Sequence, residues 1–285
     1  MRKKLNLLPL LFFFVVLLTG CTEYDPWDSQ ESKTFLAPPE IPTKEANSNY
    51  IYLTHEATLN NRPVRNYSMC FDKTKLAACW VAYPLHSCYM GSLSRTDAWA
   101  FDPQISSTYQ APTRGYSAWN YTRGHQIPSA DRTATTELNS QTFYMSNMTP
   151  QGYYFNSGAW LSLENKIRSY RCNDTLYVVT GAYWDANTMT YVSRYPVPTH
   201  YYKLVLRTRK GNTHKTVFDC TSDELKCIGF WMEHKVADDA NSSELETLNA
   251  SHCKSVAEIE NITGFTFFPE VPVNKTQCVP SDWGF

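Results

Sequence analysis

YTRGHQIPSADRT, Tyr121 to Thr133, sets one histidine, His125, among two arginines, a glycine, a proline and an aspartate. Histidine's unperturbed pKa of ~6.5 suits it to take a proton near neutral pH. A lone Arg-Gly-His is a weak signal, so the neighbouring residues decide its meaning. Downstream runs SNMTPQGYYFNSGAWLSLENKIR, Ser146 to Arg168. At 100° per residue, Asn156, Trp160, Leu163, Glu164, Ile167 and Arg168 fall within about 140° of one another on a helix. That spacing points Trp160, Leu163 and Ile167 into a core and leaves Asn156, Glu164 and Arg168 at the rim of a cleft.

RGHQ-x-P-S-A-D, then SN-x-TPQ, then N-x-G-x-W-x-x-LE with an arginine four residues on, resembles the DNA/RNA non-specific endonucleases of the ββα-metal, or His-Me finger, superfamily. WVAYPL and SRTDAWAFDP precede these blocks, and LYVVTGAYW, VPTHYYK and AEIENITGFTFFP follow them, so the resemblance covers most of residues 75 to 270. It implies an α+β fold in which a mixed, largely antiparallel sheet is flanked by helices and a strand pair presents His125. The implied activity is endonucleolytic hydrolysis of DNA and RNA with little sequence preference, leaving 5′-phosphate ends.

The resemblance also assigns residues. His125 matches the general base, and Asn156 matches the single protein ligand of a Mg²⁺ ion, with Mn²⁺ or another divalent cation as a substitute. One amide oxygen is enough, because Mg²⁺ dehydrates reluctantly and keeps several waters while phosphate oxygens supply the rest. Glu164 corresponds to the carboxylate that orients the metal's water shell, and Asn147 to a residue supporting that shell. Arg168 matches a phosphate-contacting arginine, Arg95 a further catalytic arginine, and Arg123 one that steadies the phosphate or its own loop. Thr122 departs from the pattern: many members carry aspartate there, and a hydroxyl brings no charge. The departure bears on rate and metal affinity more than on mechanism.

Strands are expected at Leu76 to Leu85, Thr175 to Tyr183, His200 to Thr208 and Cys227 to Met232, where β-branched and aromatic residues concentrate. Helices are expected at Thr135 to Tyr144, Asn156 to Tyr170 and Ser255 to Asn261, the last stopped by Thr263-Gly264. Strands and helices mix without strict βαβ alternation, which favours α+β over a doubly wound parallel sheet.

At the start of the chain, Arg2, Lys3 and Lys4 precede an apolar run from Leu5 to Leu18, shorter than the ~20 residues of a membrane span. The run ends in Leu18-Thr19-Gly20-Cys21, which resembles a bacterial lipobox. Residues 1 to 20 therefore read as a lipoprotein signal peptide and Cys21 as the acylated residue. Proline-rich residues 21 to 48 read as a flexible tether, and 49 to 285 as one domain. That places the protein in a bacterial cell envelope, lipid-anchored at the outer membrane or cell surface. Eight further cysteines, an even number in an exported chain, lead to an expectation of disulfides.

Net charge is −1, but residues 61 to 216 hold 17 Lys/Arg against 8 Asp/Glu, and residues 217 to 285 hold 4 against 12. The basic part contains the His125 motif, as binding to a polyanion requires. The same surplus would serve a non-catalytic or weakened lipoprotein that captures nucleic acid without cutting it.

Overall fold

The computed structural model describes residues 37–118, 120–236 and 247–285. In chain order its strands are β1 (Tyr50–Leu59), β2 (Arg62–Asp72), β3 (Ala77–Leu85), β4 (Tyr121–His125), β5 (Met148–Gly152), β6 (Leu176–Tyr183), β7 (Tyr191–Val192), β8 (Tyr195–Pro196), β9 (His200–Thr208), β10 (Leu225–Glu233) and β11 (Cys253–Lys254). The helices are α1 (Thr136–Gln141), α2 (Tyr153–Phe155), α3 (Leu161–Ser169) and α4 (Val256–Thr263). Seven strands form one sheet in the order β1-β2-β3-β6-β9-β10-β11, antiparallel at every pairing. β4 and β5 form a separate antiparallel pair. The architecture is the expected α+β one.

Every position of β3 is buried, so both faces of the sheet are covered. On one face lies the apolar stripe of α3 and the turn before it: Trp160, Leu163 and Ile167 are at most 1% exposed, and Trp160 packs on Tyr201 of β9. On the other face Ile259 of α4 fills the space over Gly229 and Leu204, where a Cβ on Gly229 would lie 2.5 Å from Ile259 Cδ1.

The strands expected from composition are present, and β9 spans the same residues as its expectation. α4 is capped as its sequence requires: Ser255 and Glu258 form a capping box, and Gly264 closes the helix at φ 77°. The helix expected over Asn156 to Tyr170 begins earlier, at Tyr153, and is interrupted. Between α2 and α3, Asn156–Trp160 form a wide π turn in which Gly158 leaves helical geometry (φ −104°, ψ −109°). The 100° count therefore holds from Trp160 onward but not back to Asn156.

Two expectations are corrected. The tether does not extend to residue 48: Glu40 is fully buried and forms an ion pair with Arg65 of β2, and the Thr43 N–H donates to the Thr266 carbonyl. A buried guanidinium requires a counter-charge, and the chain before β1 supplies it. The structure also holds no disulfide among the described residues. Cys70, Cys79, Cys88, Cys172, Cys220, Cys227, Cys253 and Cys278 are free thiols. Cys70 and Cys79, on β2 and β3, are packed into the core as small apolar groups, and the hydrogen bond between them together with burial holds the Cys79 thiol well above its usual pKa. The expected signal peptide and the expected acylation site at Cys21 lie outside the described residues. Among the described residues no helix is long and apolar enough to cross a membrane.

Candidate active site

The Arg-Gly-His motif is strand β4, and its register with β5 sets His125 opposite Met148, Gly124 opposite Thr149 and Thr122 opposite Gln151. Gly124 is required by packing rather than by its backbone angles. The Gln151 side chain lies across it, and a Cβ there would come within 2.2 Å of Gln151 Cδ and Oε1. Both amide atoms of Gln151 are buried without a partner among the described residues.

His125 ends β4 inside an aromatic box. Its ring meets Trp99 at 5.6 Å and Phe143 at 5.1 Å, edge to face in both cases. Arg123 stacks its guanidinium 3.5 Å from the Trp99 centroid, and Arg95 lies 4.6 Å from that of Phe143. Arg123 also donates to the Thr113 carbonyl, while Arg95 pairs with Asp97 at 2.7 Å and reaches Ser129 Oγ at 3.3 Å. Burial, with Arg95 and Arg123 alongside, lowers the His125 pKa to about 3, so the imidazole is neutral. Its Nε2 is buried without a partner among the described residues.

The helical segment follows directly from the same strand pair. β5 runs directly into α2, so Asn156 stands four residues beyond Gly152 on the wide turn, and the turn leads into α3. Its approach is fixed by His234, whose Nε2 accepts from the Gly152 N–H at 2.8 Å while its Nδ1 donates to the Pro198 carbonyl at 2.7 Å. Glu164 of α3 is half-buried. Burial raises its carboxyl pKa to about 7, while Lys203, Arg168 and Arg95 pull it down. Arg95 thus acts on both His125 and Glu164, which joins the two halves of the motif.

Not every assigned residue faces the cleft. Asn147 is fully buried and its amide is spent on backbone: Oδ1 accepts from the Ile127 N–H at 3.0 Å, and Nδ2 donates to the Ile127 and Thr142 carbonyls. It fixes the loop after His125 rather than meeting a metal's waters. The Arg168 guanidinium binds Asp131 Oδ1 (2.7 Å) and Asn165 Oδ1 (2.7 Å) instead of pairing with Glu164. Asp131 also accepts from the Tyr83 hydroxyl. Asp131, Trp99 and Lys203 were not picked out from sequence, although each lies within a block of the resemblance; their signal was the block, not the residue. Among the described residues no cluster of three or more His, Cys, Asp or Glu side chains could hold a metal. A metal held here would rest on an amide oxygen, water and substrate.

A strand pair that ends in a histidine and runs on into a helical segment is the arrangement of a ββα-metal nuclease. The DNA/RNA non-specific endonuclease family matches residues 46–274, and the chain belongs to it. A nuclease of Nostoc is 30% identical over 242 residues, covering 84% of this chain and 81% of its own. The mitochondrial nuclease EXOG of Xenopus laevis is 26% identical over 74% of this chain but only 58% of its own length. A crystal structure of the EndoG/EndoGI complex shares the fold, with a TM-score of 0.57 and 23% identity over 77% of this chain and 87% of that one. The protein is a metal-dependent endonuclease.

Proposed function

We propose that this protein is a Mg²⁺-dependent, sequence-nonspecific endonuclease acting on DNA and RNA, anchored to a bacterial envelope through acylated Cys21. The observation that carries the reading is the neutral His125 set between Arg95 and Arg123 at the end of β4. Neutral imidazole is the form that can accept a proton from water. Burial, and after it the two arginines, lowers its basicity when no anion is present. A phosphate between them cancels that field, so substrate binding raises the basicity of the group that must use it. Trp99 and Phe143 hold the ring and both guanidiniums in place by packing, which limits reorganisation during the reaction.

The residues present fit a divalent cation. Asn156 would hold it through its amide oxygen, Glu164 supplies the nearby carboxylate, and both lie on the segment pinned by His234. When bound, Mg²⁺ acts as a Lewis acid on the phosphate and offsets charge at the leaving oxygen. Glu164 must be ionised to accept hydrogen bonds from the surrounding waters, and Asp131 holds Arg168 beside it. Contacts confined to phosphate position a strand without reading its bases, which accounts for the lack of sequence preference.

The purified protein should degrade plasmid DNA and RNA with Mg²⁺ and stop on addition of EDTA. His125→Ala should abolish cleavage while DNA binding persists. A protein that binds DNA yet never cuts it with any divalent metal would instead be a nucleic-acid-capturing lipoprotein, using the basic surplus of residues 61 to 216.

A further inference from the structure

We propose that Tyr153 is a base-stacking platform of this site: its exposed ring receives an unpaired nucleobase beside the phosphate bound near Asn156, so the protein favours single-stranded substrate. The inference rests on the nuclease reading for the place of the phosphate, and on packing for the place of the ring.

Tyr153 opens α2, directly after Gly152 at the end of β5. The chain is helical from there through Asn156, with Phe155 at φ −60°, ψ −50° and Asn156 at φ −62°, ψ −45°. Gly158 breaks the geometry only afterwards. Side-chain directions can therefore be counted across this stretch at about 100° per residue. Phe155 marks the inward direction: it is 7% exposed, and its ring packs on Trp160, Tyr201 and His234 at 5.7, 5.4 and 5.1 Å. Tyr153 stands two residues before it, about 200° away. It accordingly faces outward, 55% exposed. Asn156 follows Tyr153 at i+3, so the two side chains are neighbours on the helical surface, with Cβ atoms about 5–6 Å apart.

A single exposed aromatic ring is common on protein surfaces, and exposure by itself assigns nothing. Tyr153 differs in being held. Its N–H donates to the Asn120 carbonyl at 2.9 Å, and its carbonyl accepts from Ser157 Oγ at 2.9 Å. Its ring meets that of Tyr154 edge to face, with centroids 5.2 Å apart. The preceding Gly152 N–H is tied to His234. A ring fixed through its backbone and its neighbour loses little freedom on binding, which is what a stacking surface requires.

The chemistry of the occupant follows from this position. A nucleotide whose phosphate lies at Asn156 carries its base only a few bonds away, within reach of the adjacent side chain. In a duplex the faces of that base are covered by its neighbours in the stack, whereas in a single strand they are open to an aromatic ring. Stacking uses the π face that every base has, so it adds affinity without reading sequence. Arg95 and Arg123 supply the charge that any strand needs, paired or not, and Tyr153 supplies the discrimination.

The test compares wild type, Tyr153→Ala, Tyr153→Leu and Tyr153→Phe as full chains, each checked by thermal melt. Binding is read in EDTA by fluorescence anisotropy with two labelled strands of equal length and charge, oligothymidylate and an abasic deoxyribose-phosphate chain. Wild type should bind oligothymidylate more tightly than the abasic chain. Tyr153→Ala and Tyr153→Leu should lose about ten-fold in affinity for oligothymidylate and less than about two-fold for the abasic chain, while Tyr153→Phe keeps the preference. With Mg²⁺, the ratio of kcat/KM on single-stranded to double-stranded DNA should fall about ten-fold in Tyr153→Ala and persist in Tyr153→Phe. Equal losses on the two strands, or no loss on either in a folded variant, overturn the proposal. So does a wild type that binds both strands alike, a result that needs no variant to fold. A wild type that never cuts DNA while its binding still follows the ring and the base defeats the nuclease reading. An active wild type whose binding ignores the ring overturns the platform alone.

Discussion

His234 offers the most direct test of how the segment that follows β5 is held. Its ring sits between Phe155 and Tyr201, with centroids 5.1 Å away in each case, and it bonds the Gly152 N–H and the Pro198 carbonyl. Only neutral imidazole can do both, since Nε2 must accept while Nδ1 donates. Burial, opposed by the Pro198 bond, lowers its pKa to about 4, against about 6.5 in the unfolded chain. The folded pKa is the depressed one, so the unfolded state binds more protons. The contribution to stability is complete above pH 6.5 and is lost as pH falls toward 4. Between pH 7 and pH 4 that loss amounts to about 3 kcal/mol.

His234→Phe keeps an aromatic ring and removes the titration. It leaves two buried backbone groups unpaired, at about 1–3 kcal/mol each, so the variant is less stable at pH 7. Urea unfolding of both proteins at pH 7, 5.5 and 4 should show the stability gap shrinking by about 3 kcal/mol on acidification, because only wild type pays to protonate this ring. His125 is present in both proteins and cancels. A gap that stays constant across the three pH values would refute the reasoning.

Glu40→Ala should cost about 3–5 kcal/mol, measured by urea unfolding, because it strands the buried Arg65; an effect under 0.5 kcal/mol would return residues before 49 to the status of a tether. Gly124→Ala should destabilise the protein by about 1–3 kcal/mol in the same assay by driving a methyl group into Gln151, and should lower cleavage through displacement of β4 from β5. Thr122→Asp should raise kcat or tighten the Mg²⁺ requirement in the plasmid assay; no change in either would show that a hydroxyl suffices at this position.

Much of the site was legible because its residues are spaced along two short segments. Arg123 and His125 fall on one strand, and Trp160, Leu163, Glu164, Ile167 and Arg168 on helical or near-helical geometry, where side-chain direction follows from the period. Asn156 was found by its motif, yet its direction could not be counted from the sequence, because the wide turn at Gly158 resets the helical phase. Asn147 shows the opposite limit: its place in a motif was plain, but whether an amide faces solvent or backbone is decided by the fold around it. His234, the residue after β10, stands far along the chain, and nothing in its immediate sequence marks it.

The sequence by itself determined the class of protein, the strands and helices, and the pair of segments that carry the chemistry, because propensity, capping and periodicity are local. Only the tertiary structure decided which charges meet. The partner of Arg168 is Asp131, and that of Arg65 is Glu40. Electrostatic energy and burial depend on distance in space, and the antiparallel sheet brings together residues that chain order keeps apart.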